Sequence, residues 1–460
     1  MIGAPKRSVV LAGVESCLIA TAVTLGSYVR IGDATWRMLQ EGGGVLRVML
    51  VAVVCQICLH YADLYDLRAT SGLRDVLLGL VQALGASSFI LALLYFWFPQ
   101  LIIGRGVFVI SVVFVIVLVA GWRFVFTWLS RRTASERLLI VGTNPAAVEL
   151  ARELFARREE LGVEIVGFVD SDPAKYGMPV LNPGVVGTLD DIPGLVTALD
   201  VDRVVVSLSD ARGQLPMHRL LDIRLGAGVV FDHLASVYEE YTGKIAVENL
   251  RPSWLIFSEG FRKTRISLEL KRALDLVLSL VGLVVALPLM LLIALAITLT
   301  SPGPVLYHQE RVGLNGRRFM LHKFRTMVVD AEASTGPVWS RPNDRRVTPI
   351  GRLLRRTRLD EVPQLWNVLR GEMSFVGPRP ERPGFVEQLT AQIPFYGLRH
   401  SVKPGITGWA QVRYTYGASV EDAVEKLQYD LFYIKNMSIA LDVVILLETA
   451  KTVLLGRGGR

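Results

Sequence analysis

Four apolar runs crowd the first quarter of the chain: Val9–Val29, Val48–Ala62, Val76–Ile103 and Gly106–Trp122, separated by short polar breaks. A bilayer core demands about 20 consecutive apolar residues per helix, because nothing but the helix itself can satisfy a backbone there. Two runs reach that length and two approach it, so the pattern predicts four transmembrane helices and excludes an ordinary water-soluble fold for this region. The composition agrees, with 51% hydrophobic residues among 460. No small-residue cleavage site followed by a soluble chain succeeds the first run, so it is not a signal peptide.

Flanking charges set the expected orientation. Lys6 and Arg7 precede the first run, Arg68 and Arg74 lie between the second and third, and Arg131, Arg132 and Arg137 follow the fourth. By the positive-inside rule both ends of the bundle face the cytoplasm. Arg30, Arg37 and Arg47 in the first loop pull the other way. Glu15 inside the first run is expected to snorkel or to pair with an Arg or Lys. The three cysteines, Cys17, Cys55 and Cys58, all sit in apolar segments and read as small apolar positions rather than a redox or metal motif. The six histidines form no His-x-x-x-His pair, so no zinc site is indicated.

From Arg137 the pattern changes. "RLLIVGTNPAAVELAREL" reads as a buried strand, a glycine turn and a helix, and "VEIVGFVDSDP" and "VDRVVVSLSD" read as further parallel strands ending in acidic turns. Residues 137–257 are therefore expected to form a Rossmann-like α/β domain. A dinucleotide fingerprint needs a second glycine where the backbone approaches the pyrophosphate, and Asn144 stands there in Gly142-Thr143-Asn144-Pro145. A degenerate, regulatory or structural domain is the expectation, with Asp170 as a ribose-contact candidate.

A fifth apolar segment, Leu276–Ser301, is long enough to span. Its flanks are basic on both sides: Lys271 and Arg272 before, Arg311, Arg317, Arg318 and Lys323 after. Pro288 near its centre removes an N–H and should kink or break the helix. A re-entrant helix over about 268–300, entering and leaving on one face, satisfies those charges, whereas an ordinary span would export everything downstream. From the residues alone both remain open. Residues 302–460 carry 23 Lys plus Arg against 15 Asp plus Glu, so the positive charge of the chain, formally +8, gathers beside this segment. That suits anionic headgroups or an anionic lipid substrate. No basic tail or aromatic-interleaved motif points to nucleic acid. Arginine forks suit phosphate oxygens, and Arg355, Arg356 and Arg379 are candidates beside Lys323 and Arg325.

Several short stretches then follow in order over about 140 residues: Lys271-Arg272-Ala-Leu-Asp275, Lys323-Phe-Arg325-Thr-Met, Asp330-Ala-Glu332, Leu359-Asp360-Glu361-Val-Pro363-Gln364, Gly377-Pro-Arg379-Pro and Lys403-Pro-Gly-Ile-Thr-Gly408. Together they resemble the bacterial sugar transferase family, the monotopic polyprenyl-phosphate phosphoglycosyltransferases. The four-helix region and α/β domain in front resemble the long form of that family.

The resemblance implies three parts: a transmembrane bundle over 1–136, the Rossmann-like domain over 137–257, and a mostly α-helical monotopic catalytic domain with the re-entrant helix over 258–460. It implies transfer of a sugar 1-phosphate from a UDP-sugar to polyprenyl (undecaprenyl) phosphate, with release of UMP, at the start of exopolysaccharide or O-antigen assembly. Asp330 maps as the covalent nucleophile and Glu332 as its partner, both near Mg²⁺. The family's dyad is best known as adjacent Asp-Glu, and here Ala331 intervenes. Lys323, Arg325, Arg355, Arg356 and Arg379 become phosphate contacts, Lys271 and Arg272 interface anchors, and Pro288 the helix break, although Leu287 stands where the family often carries Ser. A homodimer in the bacterial inner membrane, with its catalytic domain on the cytoplasmic face, completes the expectation. A membrane-bound nucleotide-sugar dehydratase would show a full glycine fingerprint and a Tyr-x-x-x-Lys pair, and this chain shows neither. A non-catalytic scaffold for polysaccharide export would leave the carboxylates merely solvated.

Overall fold

The computed structural model describes residues 6–40, 43–62, 64, 73–103, 105–132, 135–207, 218, 221, 228–247, 258, 260–329, 331, 344, 346–414, 417 and 419–454. Contacts divide the chain into two units, residues 3–237 and 238–460.

The first unit opens with apolar helices α1 (Lys6–Ile31), α3 (Gly44–Tyr61), α4 (Leu73–Trp97) and α5 (Arg105–Arg132), with a short α2 (Ala34–Gln40) in the first loop. All four long helices are apolar enough to cross a membrane. α1 packs on α5 and α3, and α3 on α4, around Ile19, Val23, Val51, Cys55, Leu59, Leu84, Val115 and Val119. Cys55 and Cys58 are buried free thiols within this core, as two small apolar side chains would be. Glu15 is fully buried and pairs with Arg123 of α5 at 2.7 Å, while the Arg123 Nη1 donates to the Leu64 carbonyl at 2.6 Å. Polar groups within a membrane-type bundle are costly unless paired, and here each end of the guanidinium has an acceptor.

The same unit holds a parallel five-stranded sheet: β1 (Glu136–Val141), β2 (Val163–Asp170), β3 (Val185–Thr188), β4 (Arg203–Val206) and β5 (Val230–His233), in the order β3-β2-β1-β4-β5. Leu138 to Val141 are wholly buried, which is why the strand reads as a continuous apolar run rather than an alternation. Helix α6 (Pro145–Ala156) starts where sequence chemistry puts a start: Asn144 accepts from the Ala147 N–H and Pro145 fills the first turn. Short helices α7 (Arg158–Leu161) and α8 (Ile192–Ala198) complete the crossovers, and α9 (Leu234–Thr242) follows β5.

In the second unit α10 (Arg265–Thr300) is a single helix of 36 residues, about 54 Å at 1.5 Å per residue. It begins at a Thr264 cap and continues through Pro288 without ending there. A proline removes one bond of the ladder, and the apolar turns on both sides keep the others. Its first turns are rooted in the folded domain. Lys271 pairs with Asp442 at 2.6 Å and donates to the Val376 carbonyl, Arg272 donates to the Val368 and Leu369 carbonyls, and Asp275 accepts from the Ser374 hydroxyl and the Phe375 N–H. Beyond these turns, side chains such as Val284, Val285, Leu291 and Leu299 are exposed.

After α10 come an antiparallel hairpin, β6 (Leu306–Val312) and β7 (Arg318–Phe324), then α11 (Pro349–Thr357), α12 (Gln364–Arg370), β8 (Ser374–Val376), α13 (Pro383–Gln392), β9 (Gly405–Thr407), α14 (Trp409–Arg413), α15 (Val420–Asn436) and α16 (Ile439–Leu454). β8 and β9 pair in parallel. The main core gathers Trp409, Leu427, Leu431, Phe432, Tyr433, Leu441 and Ile445. A smaller one joins Ile293 and Ile297 of α10 to Phe324 and Leu354, with Leu359 packed against it.

Candidate active site

That small core decides where the chemistry sits, because Leu359 is followed by Asp360 and Glu361. α11 begins at a Thr348 cap and ends at Arg358, whose φ of 55° is a left-handed conformation that non-glycine residues adopt at a cost. The resulting sharp bend starts a 3₁₀ turn, Leu359–Glu361, and turns both carboxylates inward, each 9% exposed.

Three cations meet there. β7 delivers Lys323, whose Nζ donates to Glu361 Oε1 at 2.8 Å, and Arg379 Nη2 donates to the same oxygen at 2.9 Å. Arg358 Nη1 lies 3.9 Å from Oε2. Arg379 owes its place to Gly377: the Gly377 N–H donates to the Thr407 carbonyl of β9, and a Cβ on Gly377 would stand 2.9 Å from the Gly405 nitrogen, so only glycine lets the two backbones come this close. Arg399, itself paired with buried Asp430 at 2.8 Å, donates to the Arg379 carbonyl from behind. Arg355 of α11 donates from Nε to the Thr326 hydroxyl at 2.9 Å.

The two adjacent carboxylates differ electrostatically. Burial alone would raise the Glu361 carboxyl, but Lys323, Arg379 and Arg358 hold it well below the usual carboxylate range. Burial and the neighbouring Glu361 charge push Asp360 up, against the pull of Lys323, Arg355 and Arg379. Glu361 is thus committed to cations, and Asp360 is the oxygen donor left to react or to hold a hard cation. A carboxylate donor fits Mg²⁺, which takes one or two carboxylates together with substrate phosphates. Among the described residues no group of three or more His, Cys, Asp or Glu side chains forms a protein-only metal cage.

The other residues expected from the sequence are placed as follows. Lys323 and Arg379 come together on Glu361, and Arg355 lies near enough to Asp360 to affect its charge. Arg325 is 6% exposed and donates to the Pro302 and Ser301 carbonyls at 2.6 and 2.7 Å, pinning the chain where it leaves α10. Arg356 is exposed on α11. Lys271 and Arg272 hold the root of α10, and Pro288 lies within it. Asp330 and Glu332 lie outside the described residues. The residues that sequence reasoning left without a role are Asp360 and Glu361, and the signal was available: they are the adjacent Asp-Glu pair that the family pattern asks for.

At the edge of the parallel sheet where a doubly wound domain takes its ligand, several described polar side chains bond to one another. Asp170 accepts from the Thr143 hydroxyl and from Lys175 Nζ at 3.0 Å, and Asn144 exchanges hydrogen bonds with Ser207 on β4's far end.

Residues 266–456 match the bacterial sugar transferase family, and residues 60–222 match a CoA-binding domain family. The polar groups that a pyrophosphate or ribose would use at the sheet edge are already bonded to each other, so they do not fit a CoA or dinucleotide as they stand. The UDP-N-acetylgalactosamine-undecaprenyl-phosphate N-acetylgalactosaminephosphotransferase of Aeromonas hydrophila is 39% identical over 57% of this chain and 61% of its own length. The UDP-glucose:undecaprenyl-phosphate glucose-1-phosphate transferase of Escherichia coli (strain K12) is 35% identical over 70% of this chain and 68% of its own length. The undecaprenyl-phosphate glucose phosphotransferase of Komagataeibacter xylinus is 34% identical over 76% of this chain. The match spans 65% of that relative, so the chain covers about two thirds of the length of these proteins. With a buried Asp-Glu pair under three cations, a membrane-type helix rooted beside it and relatives of this kind, the chain belongs to the bacterial sugar transferase family.

Proposed function

We propose that the chain transfers a sugar 1-phosphate from a UDP-sugar to undecaprenyl phosphate, releasing UMP, at the cytoplasmic face of a bacterial inner membrane. The observation that carries this reading is the convergence of Lys323, Arg379 and Arg358 on Glu361 beside a buried Asp360. Both substrates are phosphates, and a carboxylate can approach a diphosphate only where cations offset the repulsion. The names of the relatives above carry UDP-N-acetylgalactosamine or UDP-glucose, which supports a UDP-sugar as the substrate class and leaves the sugar itself open.

In this mechanism Lys323, Arg355 and Arg379 take the diphosphate oxygens. The ionised Asp360 attacks the phosphorus next to the sugar, the bond to the UMP oxygen breaks, and an aspartyl phosphosugar remains. Undecaprenyl phosphate then attacks the same phosphorus and frees the carboxylate. Splitting the transfer means that nucleotide and lipid need not be bound together. Mg²⁺, held by Asp360 and substrate phosphates, would lower the charge on the leaving group. Asp330 and Glu332 are the alternative nucleophile and partner. The division into 1–136, 137–257 and 258–460, the Rossmann-like character of the middle part, a re-entrant path for α10 and a homodimer belong to the same reading.

The test is a UMP burst. Protein given UDP-sugar and Mg²⁺ without lipid should release one equivalent of UMP and gain the mass of one sugar phosphate. Asp360→Asn should lose both signals, with turnover down by ~10³-fold or more. If Asp360→Asn keeps the burst and Asp330→Asn loses it, the nucleophile is Asp330. If neither variant affects the burst, the covalent mechanism fails.

A further inference from the structure

The outer part of the second unit's hairpin carries imidazole chemistry that the transfer does not use. β6 and β7 pair so that His308 stands directly opposite His322. Their Nδ1 atoms are 2.7 Å apart, with ring centroids 4.8 Å apart and ring planes at 88°. One ring donates to the other, so one of the two Nδ1 atoms is bare and the second carries the only proton between them. His308 is exposed and His322 half-buried, so the pair is open to solvent. Burial and the facing His308 hold His322 below its ordinary pKa, with Glu372 and Arg370 as opposed lesser influences, so the ring stays neutral.

A neutral imidazole is the form that binds metal. Directly opposed side chains on an antiparallel ladder share one face, and the ladder fixes their separation before any ligand arrives. His322 and Lys323 are neighbours on one strand and therefore point to opposite faces. The imidazole pair thus lies on the side of β7 away from the Lys323–Glu361 contact. Ligand hardness separates the two places as well, since carboxylates and phosphates suit Mg²⁺ and imidazoles suit Zn²⁺, Cu²⁺ or Ni²⁺.

We propose that His308 and His322 form a two-imidazole site for one divalent transition-metal ion, with water completing its coordination. Metal–nitrogen bonds of about 2.0–2.1 Å at a tetrahedral angle place the two nitrogens roughly 3.3 Å apart. The rings must therefore part by about half an ångström, which rotation of two solvent-facing side chains supplies. The proton now between the Nδ1 atoms moves through solvent to the Nε2 of the ring that carried it, so both rings bind the metal as neutral imidazoles.

Copper(II) is the probe. The full chain in detergent, with any affinity tag removed, receives one equivalent of Cu²⁺, and its electron paramagnetic resonance spectrum should show coupling to two imidazole nitrogens. His308→Ala and His322→Ala should each reduce this to one nitrogen and weaken binding at least tenfold, and the double variant should lose it. Zn²⁺ should compete for the same pair only in large excess, because imidazole sites hold Cu²⁺ more tightly. His322→Gln, which keeps a polar side chain on the strand, guards against loss of fold and should behave like His322→Ala. An unchanged spectrum in the double variant, or wild-type binding no tighter than that of the double variant, overturns the proposal.

Discussion

In the bundle, one carboxylate faces one guanidinium: Glu15 and Arg123 lie 2.7 Å apart, and the spare end of the arginine is taken by a backbone carbonyl. In the second unit, two adjacent carboxylates sit among Lys323, Arg355, Arg358 and Arg379. The first arrangement is neutral and complete. The second has a surplus of two positive charges and one carboxylate, Asp360, raised by burial and by its neighbour. A balanced buried pair specifies which helices lie together, whereas an unbalanced group is poised to receive an anion.

Removing one partner separates the two cases. Arg123→Leu should have the largest effect, destabilising the purified protein by about 3–5 kcal/mol in denaturation experiments, because Glu15 is left charged and buried. Glu15→Leu combined with Arg123→Leu should recover most of that loss. A single variant as stable as the parent would mean that the pair is not closed off from water.

Glu361→Gln should leave the fold standing and reduce turnover by about 10–100-fold, since Lys323 and Arg379 lose the carboxylate that positions them. The pH profile sharpens this. Burial and the Glu361 charge raise the Asp360 carboxyl from its ordinary value, so activity should fall on acidification at a higher pH than an ordinary aspartate would give. The Glu361 charge is one cause of that rise, and in Glu361→Gln the acid limb should move to lower pH. A limb that stays in place would separate Asp360 from the rate.

The smallest effect is expected at the sheet edge. Asp170→Asn breaks a pair with a lysine that is 40% exposed, and should cost about 1 kcal/mol or less. Neither protein should retain a nicotinamide cofactor through purification. Retention by the parent would show that the Thr143–Asp170–Lys175 cluster opens for a ligand.

The apolar helices and three strands of the parallel sheet were legible in the sequence because each rests on local periodicity, and the apolar runs became α1, α3, α4, α5 and α10 while "RLLIV" became β1; the β6–β7 hairpin and the short strands β8 and β9 carry no such signal. The sequence singled out Lys323 and Arg379 as candidate phosphate contacts, but their meeting on Glu361 depends on elements 38 and 18 residues away. Four arginines before Leu359-Asp360-Glu361 look like a solvated helix end, and only the left-handed bend at Arg358 buries the two acids. Arg325 shows the converse. A guanidinium beside a family motif suggested a phosphate contact, and its two terminal nitrogens donate to backbone carbonyls 23 and 24 residues upstream, a link the sequence did not signal.

The root of α10 has a mechanical meaning. Asp275 grips the Ser374 hydroxyl and the Phe375 N–H, Lys271 grips the Val376 carbonyl, and the next residues are Gly377, Pro378 and Arg379. A helix about 54 Å long that is held at its start by β8 and at its close by Phe324, Leu354 and the Arg325 grip on Ser301 and Pro302 is a strut. Its far clamp holds Phe324, the residue after Lys323, and its near clamp holds β8, which ends three residues before Arg379. One helix thus spaces the strand that carries Lys323 from the strand that precedes Arg379.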